Sequence, residues 1–340
     1  PTNFLSLAGV PASAGMAAIH RGGLEILIDG RYVDAVSEAS RGRDGVTVHP
    51  LPTGTSYEEA AADLIDRHGW PAVAVEAGHM TLGRASAVRR ALRSPASVRW
   101  LEADDEIEKL RAVKDTDEQA VLREAGRRLA AVAACILPQV SAGRTERDVA
   151  WSVATALHEA GFERPAFDTI VASGPNGARP HHRTADRRLQ DGDLVVVDFG
   201  GVLDGYAVDM TRTVDLGAAD EPRRWCVAVR QAQEAAFAAA HAGVAPSAVD
   251  GAARTTLDGH GLGGYFTHST GHGLGLDVHE RPTLGPRGDS TGPLVSGMVF
   301  TIEPGVYVPG RGGVRIEDDV LLTATGAEWL TRDPGETLRA

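Results

Sequence analysis

At 340 residues the chain exceeds the size at which one hydrophobic core usually keeps growing, and its 43 % hydrophobic content is that of a soluble globular protein, so two domains are expected. Lys plus Arg total 34 against 46 for Asp plus Glu, and the resulting net charge of -12 excludes a general nucleic-acid binder that works by neutralising phosphates. No apolar run approaches the roughly 20 residues of a membrane span, Cys135 and Cys226 form no CxxC pair, and the apolar residues 4–10 lack the basic lead of a signal peptide, which together suggest a cytoplasmic protein.

Short apolar runs alternate with helical periodicity over the first 105 residues. The pattern predicts a strand at 24–28, a helix at 57–68, a strand at 72–75 and a helix at 81–93, an α/β arrangement. A charged stretch from Glu102 to Glu118 follows, and the domain boundary is expected near residue 108, giving domains 1–107 and 108–340. Helices at 119–136 and 146–160 open the second domain, the latter with Thr145 as N-cap. Strands are predicted at 194–197 and at 206–214, after the Asp204-Gly205 turn signal. Helices return at 222–242 and 248–260, and two strands, 299–303 and 314–322, flank the Gly-rich loop 309–313.

If the strands around Asp204-Gly205 form a hairpin, Asp198 and Asp209 fall on one face, opposite or one diagonal step apart. Glu303 and Glu317 are equidistant from Gly310 and repeat the geometry in a second hairpin. Acidic residues are depleted from strands, yet these four sit there beside Val197, Val208, Ile302 and Ile316. Carboxylates brought so close repel unless a cation lies between them. One of His268, His272 and His279, clustered in a Gly-rich segment, completes a ligand set.

Four carboxylates and one imidazole suit Mn(II), Fe(II), Co(II) or Zn(II), with Mn(II) the first choice, and so many bridging carboxylates favour two ions over one. Such a pair lowers the pKa of a shared water to near 7, so the expected nucleophile is a metal-bridging hydroxide. No Gly-x-Ser-x-Gly elbow offers a serine nucleophile. Neither Gly200-Gly201 nor Gly271–Gly275 matches a nucleotide-binding fingerprint.

Five motifs in order carry a resemblance: Val196-Val-Asp-Phe-Gly-Gly201, Tyr206-Ala-Val-Asp-Met-Thr-Arg-Thr213, His268-Ser-Thr-Gly-His-Gly-Leu-Gly-Leu-Asp-Val-His-Glu280, Thr301-Ile-Glu-Pro-Gly-Val-Tyr307 and Gly313-Val-Arg-Ile-Glu-Asp318. The chain resembles the dinuclear pita-bread-fold metallopeptidases, specifically the prolidase and aminopeptidase P branch, which cleaves Xaa-Pro bonds. Asn3-Phe-Leu-Ser-Leu-Ala-Gly9 extends the likeness into the first domain. The resemblance implies a creatinase-like α/β domain followed by a pita-bread catalytic domain, and a homodimer. It implies that Asp198 and Asp209 bind one ion and His272 the other, that Asp209 and Glu317 bridge, and that Glu303 ligates and takes a proton from the water. His181 matches a histidine near the substrate, His268 and His279 match residues at the scissile carbonyl, and Arg315 supports the ligand shell.

A dipeptidase must hold the free carboxylate of its product proline, and the planar fork of an arginine is the natural group. Arg281, directly after His279-Glu280, and Arg31, in Ile28-Asp-Gly-Arg-Tyr32, are the candidates; the slot that carries an arginine in some prolidases is Thr283 here, a departure from their pattern. The chain is compact, which favours Xaa-Pro dipeptides over longer proline-containing peptides as substrates. A non-catalytic peptide-binding module of the same fold is the remaining alternative, and relatives of that kind lose ligands that are all present here.

Overall fold

The computed structural model describes residues 2–103, 105–289 and 292–332. The chain divides after Leu110 into two compact units. The first runs α1 (Thr2–Ala8), β1 (Met16–His20), β2 (Gly23–Ile28), α2 (Val33–Ala39), β3 (Val46–Pro50), α3 (Tyr57–His68), β4 (Ala72–Val75), α4 (Leu82–Ala91) and β5 (Arg99–Glu102). β1 and β3 flank β2, the first antiparallel and the second parallel to it, and β4 pairs in parallel with β5. Ile26 and Ile28 pack against Ala8 and Val36 in one small core, and Ala62, Ile65, Val88 and Leu92 form a second.

The helix limits follow from capping chemistry. α3 starts where expected because Ser56 and Glu59 form a reciprocal capping box, and it stops at Gly69, whose φ of 62° closes the last turn. α5 (Glu106–Ala112) runs across the division. α6 (Thr116–Ile136) starts three residues before the periodicity predicts, because Asp115 accepts from the Asp117 and Glu118 amides and so extends the helix through polar residues. α7 (Glu146–Glu159) is capped by Thr145, as the sequence suggests.

The second unit continues with β6 (Arg164–Pro165), β7 (Ile170–Ser173), β8 (Leu194–Leu203), β9 (Tyr206–Asp215), α8 (Asp220–Ala239), α9 (Pro246–Gly259), β10 (Gly271–Gly273), β11 (Glu280–Leu284), β12 (Val299–Ile302), β13 (Gly305–Val308), β14 (Gly312–Arg315), β15 (Glu317–Thr323) and β16 (Gly326–Trp329). The main sheet has the order β11-β10-β12-β15-β9-β8-β6, with β7 also paired to β8 and β16 to β15. α6 and α7 pack on β7, β8 and β9, and α8 and α9 pack on β12 to β15.

Two expectations of the sequence meet different fates. β8 and β9 form one hairpin around Asp204-Gly205, whose φ values of 47° and 81° are those of the two-residue turn that dipeptide favours. The second hairpin is not continuous: β12 pairs with β15 and β13 with β14, while Glu303 and Pro304 belong to neither ladder. The break occurs because the Glu303 amide donates to Thr270 O (2.7 Å), which turns the chain towards β10. Register survives it, since Ile302 lies opposite Asp318 and Gly305 opposite Arg315.

Candidate active site

The five expected ligands come from five neighbouring strands, one from each of β8, β9, β15 and β10 and one from the end of β12. In the β8–β9 hairpin Asp198 faces Thr211 and Asp209 faces Gly200, so the two aspartates are diagonal neighbours. Val197, Phe199, Val208 and Met210, which flank them in sequence, are buried in the core under α6 and α7, and strand alternation therefore turns both carboxylates to the other face. Glu317 faces Thr211 across the β9–β15 pair, which puts it in the same row as Asp198. Glu303 leaves the end of β12, and His272 lies on β10, where its amide donates to Thr301 Oγ1 (3.1 Å).

Ring tautomers and hydrogen bonds aim these groups. The His272 Nδ1–H donates to Gly273 O (3.1 Å), which leaves the Nε2 lone pair free, and Nε2 lies 3.5 Å from Glu303 Oε1. Glu317 Oε2 accepts from Thr211 Oγ1 at 2.6 Å. Ligating atoms of Asp209, His272 and Glu317 all lie within 4.8 Å of one another. Asp198 Oδ1, Asp209 Oδ1 and Glu317 Oε1 are buried with no hydrogen-bond partner, an arrangement that costs free energy unless a cation is bound. Burial, reinforced by Glu317 and Asp198, holds Asp209 well above the usual carboxylate range. Burial and the Glu317 charge do the same to Glu303. Glu317 is pushed up to about 8 by burial and by Asp198. Burial depresses His272 to about 3, so its imidazole is neutral and available as a ligand. An oxygen-rich set with one neutral nitrogen and three unsatisfied oxygens fits hard or borderline divalent ions.

Around this set, Arg315 is buried and ion-paired through Nη2 to Asp198 Oδ2, with Nε on Thr211 Oγ1 (3.1 Å) and Nη1 on the Tyr307 hydroxyl (2.9 Å). Tyr307 in turn donates to His268 Nε2 (2.8 Å), whose Nδ1–H is held by Ser269 O (2.7 Å). Burial lowers His268 to about 4 and raises Tyr307 to about 12, so both are neutral near pH 7. The His279 ring lies 4.1 Å from that of His272, and burial lowers its pKa as well. A cleft of about 920 Å³ opens onto the ligands and is lined by His181, His268, His279, Phe167 and Arg183, among others.

The two arginines expected to hold a product carboxylate are placed otherwise. Arg31 belongs to the first unit, and its fork already holds Asp29 through Nε (2.9 Å) and Nη2 (2.8 Å). Arg281 Nη1 donates to the buried Asp289 Oδ2 (2.9 Å), and Arg281 does not line the cleft. Arg183, which the sequence reading passed over, is exposed on the cleft wall. Tyr307, Thr211 and Thr301 were also missed. Tyr307 had one signal, the paired Gly313, where a Cβ would stand 3.0 Å from the tyrosine ring.

Residues 120–324 match metallopeptidase family M24. The Xaa-Pro dipeptidase of Pyrococcus furiosus is 41 % identical over 236 residues, 69 % of this chain and 67 % of that relative, so the chain aligns with about two thirds of its length. Among solved structures, an Xaa-Pro dipeptidase from Bacillus anthracis superposes with a TM-score of 0.90 at 32 % identity, covering 98 % of this chain and 91 % of that one. An X-Pro aminopeptidase from Thermotoga maritima superposes with a TM-score of 0.85, also at 32 % identity, covering 98 % and 92 %. With the pita-bread sheet and the converging carboxylates already described, these likenesses place the chain in metallopeptidase family M24, in its prolidase and aminopeptidase P branch.

Proposed function

We propose that the protein hydrolyses the bond before proline in Xaa-Pro dipeptides, with two divalent ions held by Asp198, Asp209, His272, Glu303 and Glu317. The observation that carries the reading is the convergence of four carboxylates and one neutral imidazole on a cleft, with three buried carboxylate oxygens unsatisfied. Asp198 and Asp209 would hold one ion and His272 the other, with Glu303 and Glu317 completing the ligand set. When bound, such a pair lowers the pKa of the attacking water to near 7 and polarises the scissile carbonyl.

The chain's own groups do the rest. Glu303, whose proton affinity burial raises, takes the proton from the water and returns it to the leaving proline nitrogen. His279 and His181 line the cleft and donate to the oxygen on which negative charge develops, with His268 behind them on Tyr307. Arg315 fixes the Asp198 carboxylate. In place of Arg31 and Arg281, Arg183 holds the carboxylate of the proline. Manganese as the ion, a homodimer and a cytoplasmic setting belong to the same reading. Among the described residues, no helix is long and apolar enough to cross a membrane.

The test compares an Xaa-Pro dipeptide with an Xaa-Pro-Yaa tripeptide in manganese. The expected result is faster dipeptide hydrolysis, abolished by Asp209→Asn, with Arg183→Ala raising KM for the dipeptide more than for its C-terminal amide. The size of the cleft favours a second reading, aminopeptidase P activity on longer peptides. Preference for the tripeptide would establish that reading. Absence of any bound or activating divalent ion would overturn both.

A further inference from the structure

We infer that the first unit carries a zinc site of its own, formed by His20, Glu25 and His68 with His49 in support. Sheet geometry brings three of these side chains together. Glu25 of β2 faces Ala18 on one side and Thr47 on the other, so His20 of β1 and His49 of β3 are its diagonal neighbours on the same face. His68, the last residue of α3, reaches the same carboxylate from outside the sheet. The even-numbered neighbours Ile26 and Ile28 face the opposite side, in the small core.

Distances and chemistry point to a cation and not only to a hydrogen-bonded cluster. Glu25 Oε1 lies 3.2 Å from His20 Nε2 and 3.4 Å from His68 Nε2. A tetrahedral ion with bonds of about 2.0–2.1 Å separates its ligands by about 3.3–3.4 Å, so both separations from Glu25 match edges of such a site, and ligand atoms of the three residues all lie within 4.8 Å of one another. His49 Nε2 bonds the other oxygen, Oε2, and orients the carboxylate as supporting groups do around metals. Glu25 is 8 % exposed, whereas the histidines are open enough for an ion to enter. Trp70 stacks on His68 with ring centroids 4.6 Å apart and covers one side. Two nitrogens and a carboxylate oxygen, with a fourth position open, are a zinc-type donor set.

One contact must yield. The Gly22 amide donates to His20 Nδ1 (3.1 Å), which places the ring proton on Nε2. Binding through Nε2 moves that proton to Nδ1 and releases an exposed amide that water can satisfy. Once bound, the ion joins β1, β2 and the end of α3, and so stabilises the first unit.

The experiment uses the untagged full-length chain carrying Asp209→Asn and Glu317→Gln, so that binding at the catalytic ligand set is disabled. Zinc titration against a chromogenic chelator is expected to find one retained ion. His20→Gln and His68→Gln should each weaken its affinity by at least the roughly 10- to 100-fold that loss of a supporting partner costs metal sites, and His49→Gln should have a smaller effect. Cobalt(II) in the same protein should give the strong visible bands of a four-coordinate ion. A zinc-edge anomalous difference map of wild-type crystals locates the ion without any substitution, at Glu25 if the inference holds. No anomalous peak there, or zinc binding indifferent to His20→Gln and His68→Gln, would overturn it. Either result would leave the peptidase reading untouched.

Discussion

The carboxylate of Glu146 is fully buried and accepts from Ser173 N (2.8 Å), Ser173 Oγ (2.7 Å), Asn176 Nδ2 (2.9 Å), His182 Nε2 (2.9 Å) and Ala185 N (3.1 Å). It thereby ties α7 to the loop that presents His181 and Arg183 to the cleft. Burial opposes its ionisation, but the donors outweigh burial and hold its pKa below the ordinary 4.5. Its stabilisation is therefore present above pH 4.5 and is lost as pH falls through the folded value. Glu146→Gln turns an NH₂ towards these donors and is expected to cost about 2–4 kcal/mol at pH 7. Urea titrations should find the difference between the two proteins narrowing below pH 4.5. Tyr307→Phe is a gentler change at the same scale: it removes the hydroxyl between Arg315 and His268 but no ligand. Metal content should stay at the wild-type level while kcat falls. Loss of metal instead would mean that Tyr307 holds Arg315, and through it Asp198, in place.

The hairpin of β8 and β9 sets the spacing of the first two carboxylates, and its turn is the element's weak point. Gly205 has a φ of 81°, and a Cβ there would meet only Leu276 Cδ2 at 4.0 Å, so substitution is opposed by the backbone alone. Gly205→Ala is expected to lose about 1–2 kcal/mol, read as a lower urea midpoint with an unchanged slope. Gly205→Asn, which tolerates this conformation, should lose less. The same hairpin explains why the site was legible in the sequence. Turn dipeptide and alternation together fix register, and register alone makes Asp198 and Asp209 diagonal neighbours. The Glu303–Glu317 relation was legible for the same reason, but the break at Glu303 was not, because it depends on Thr270 O, a backbone atom from a distant strand. β10 escaped prediction because it is the three residues Gly-His-Gly, with no alternation to read. His20, His49 and His68 carry no motif in the sequence for a related reason. They come from separate elements, and only the order β1-β2-β3 gathers them on Glu25.

At the scale of the molecule, the site concentrates negative charge in a chain that already carries a net charge of -12. Asp198, Glu303 and Glu317 neighbour the buried guanidinium of Arg315, and Asp209 adds a fourth carboxyl to the set. Ions that bind the folded chain and not the unfolded one stabilise it by mass action, about 2.7 kcal/mol at a concentration 100-fold above Kd. For a unit of this size that corresponds to about 5–10 °C in Tm. Chelation should therefore lower Tm, and manganese should restore it in a concentration-dependent way.

A sharper expectation separates this linkage from a general effect of chelator. In the ion-free protein, Asp209 is a buried carboxylate pressed by burial and by Glu317 and Asp198, so Asp209→Asn removes a repulsive charge. On the proposed assignment of Asp209 as a ligand, the same substitution in manganese removes an interaction with the ion. The order of stability should cross: the variant melts above wild type in chelator and below it in saturating manganese. A variant less stable under both conditions would mean that Asp209 is held mainly by its protein contacts. The Asp209 amide does donate to Asp319 Oδ2 (3.0 Å), but Asp209 Oδ1 has no donor, so the structure favours the crossing.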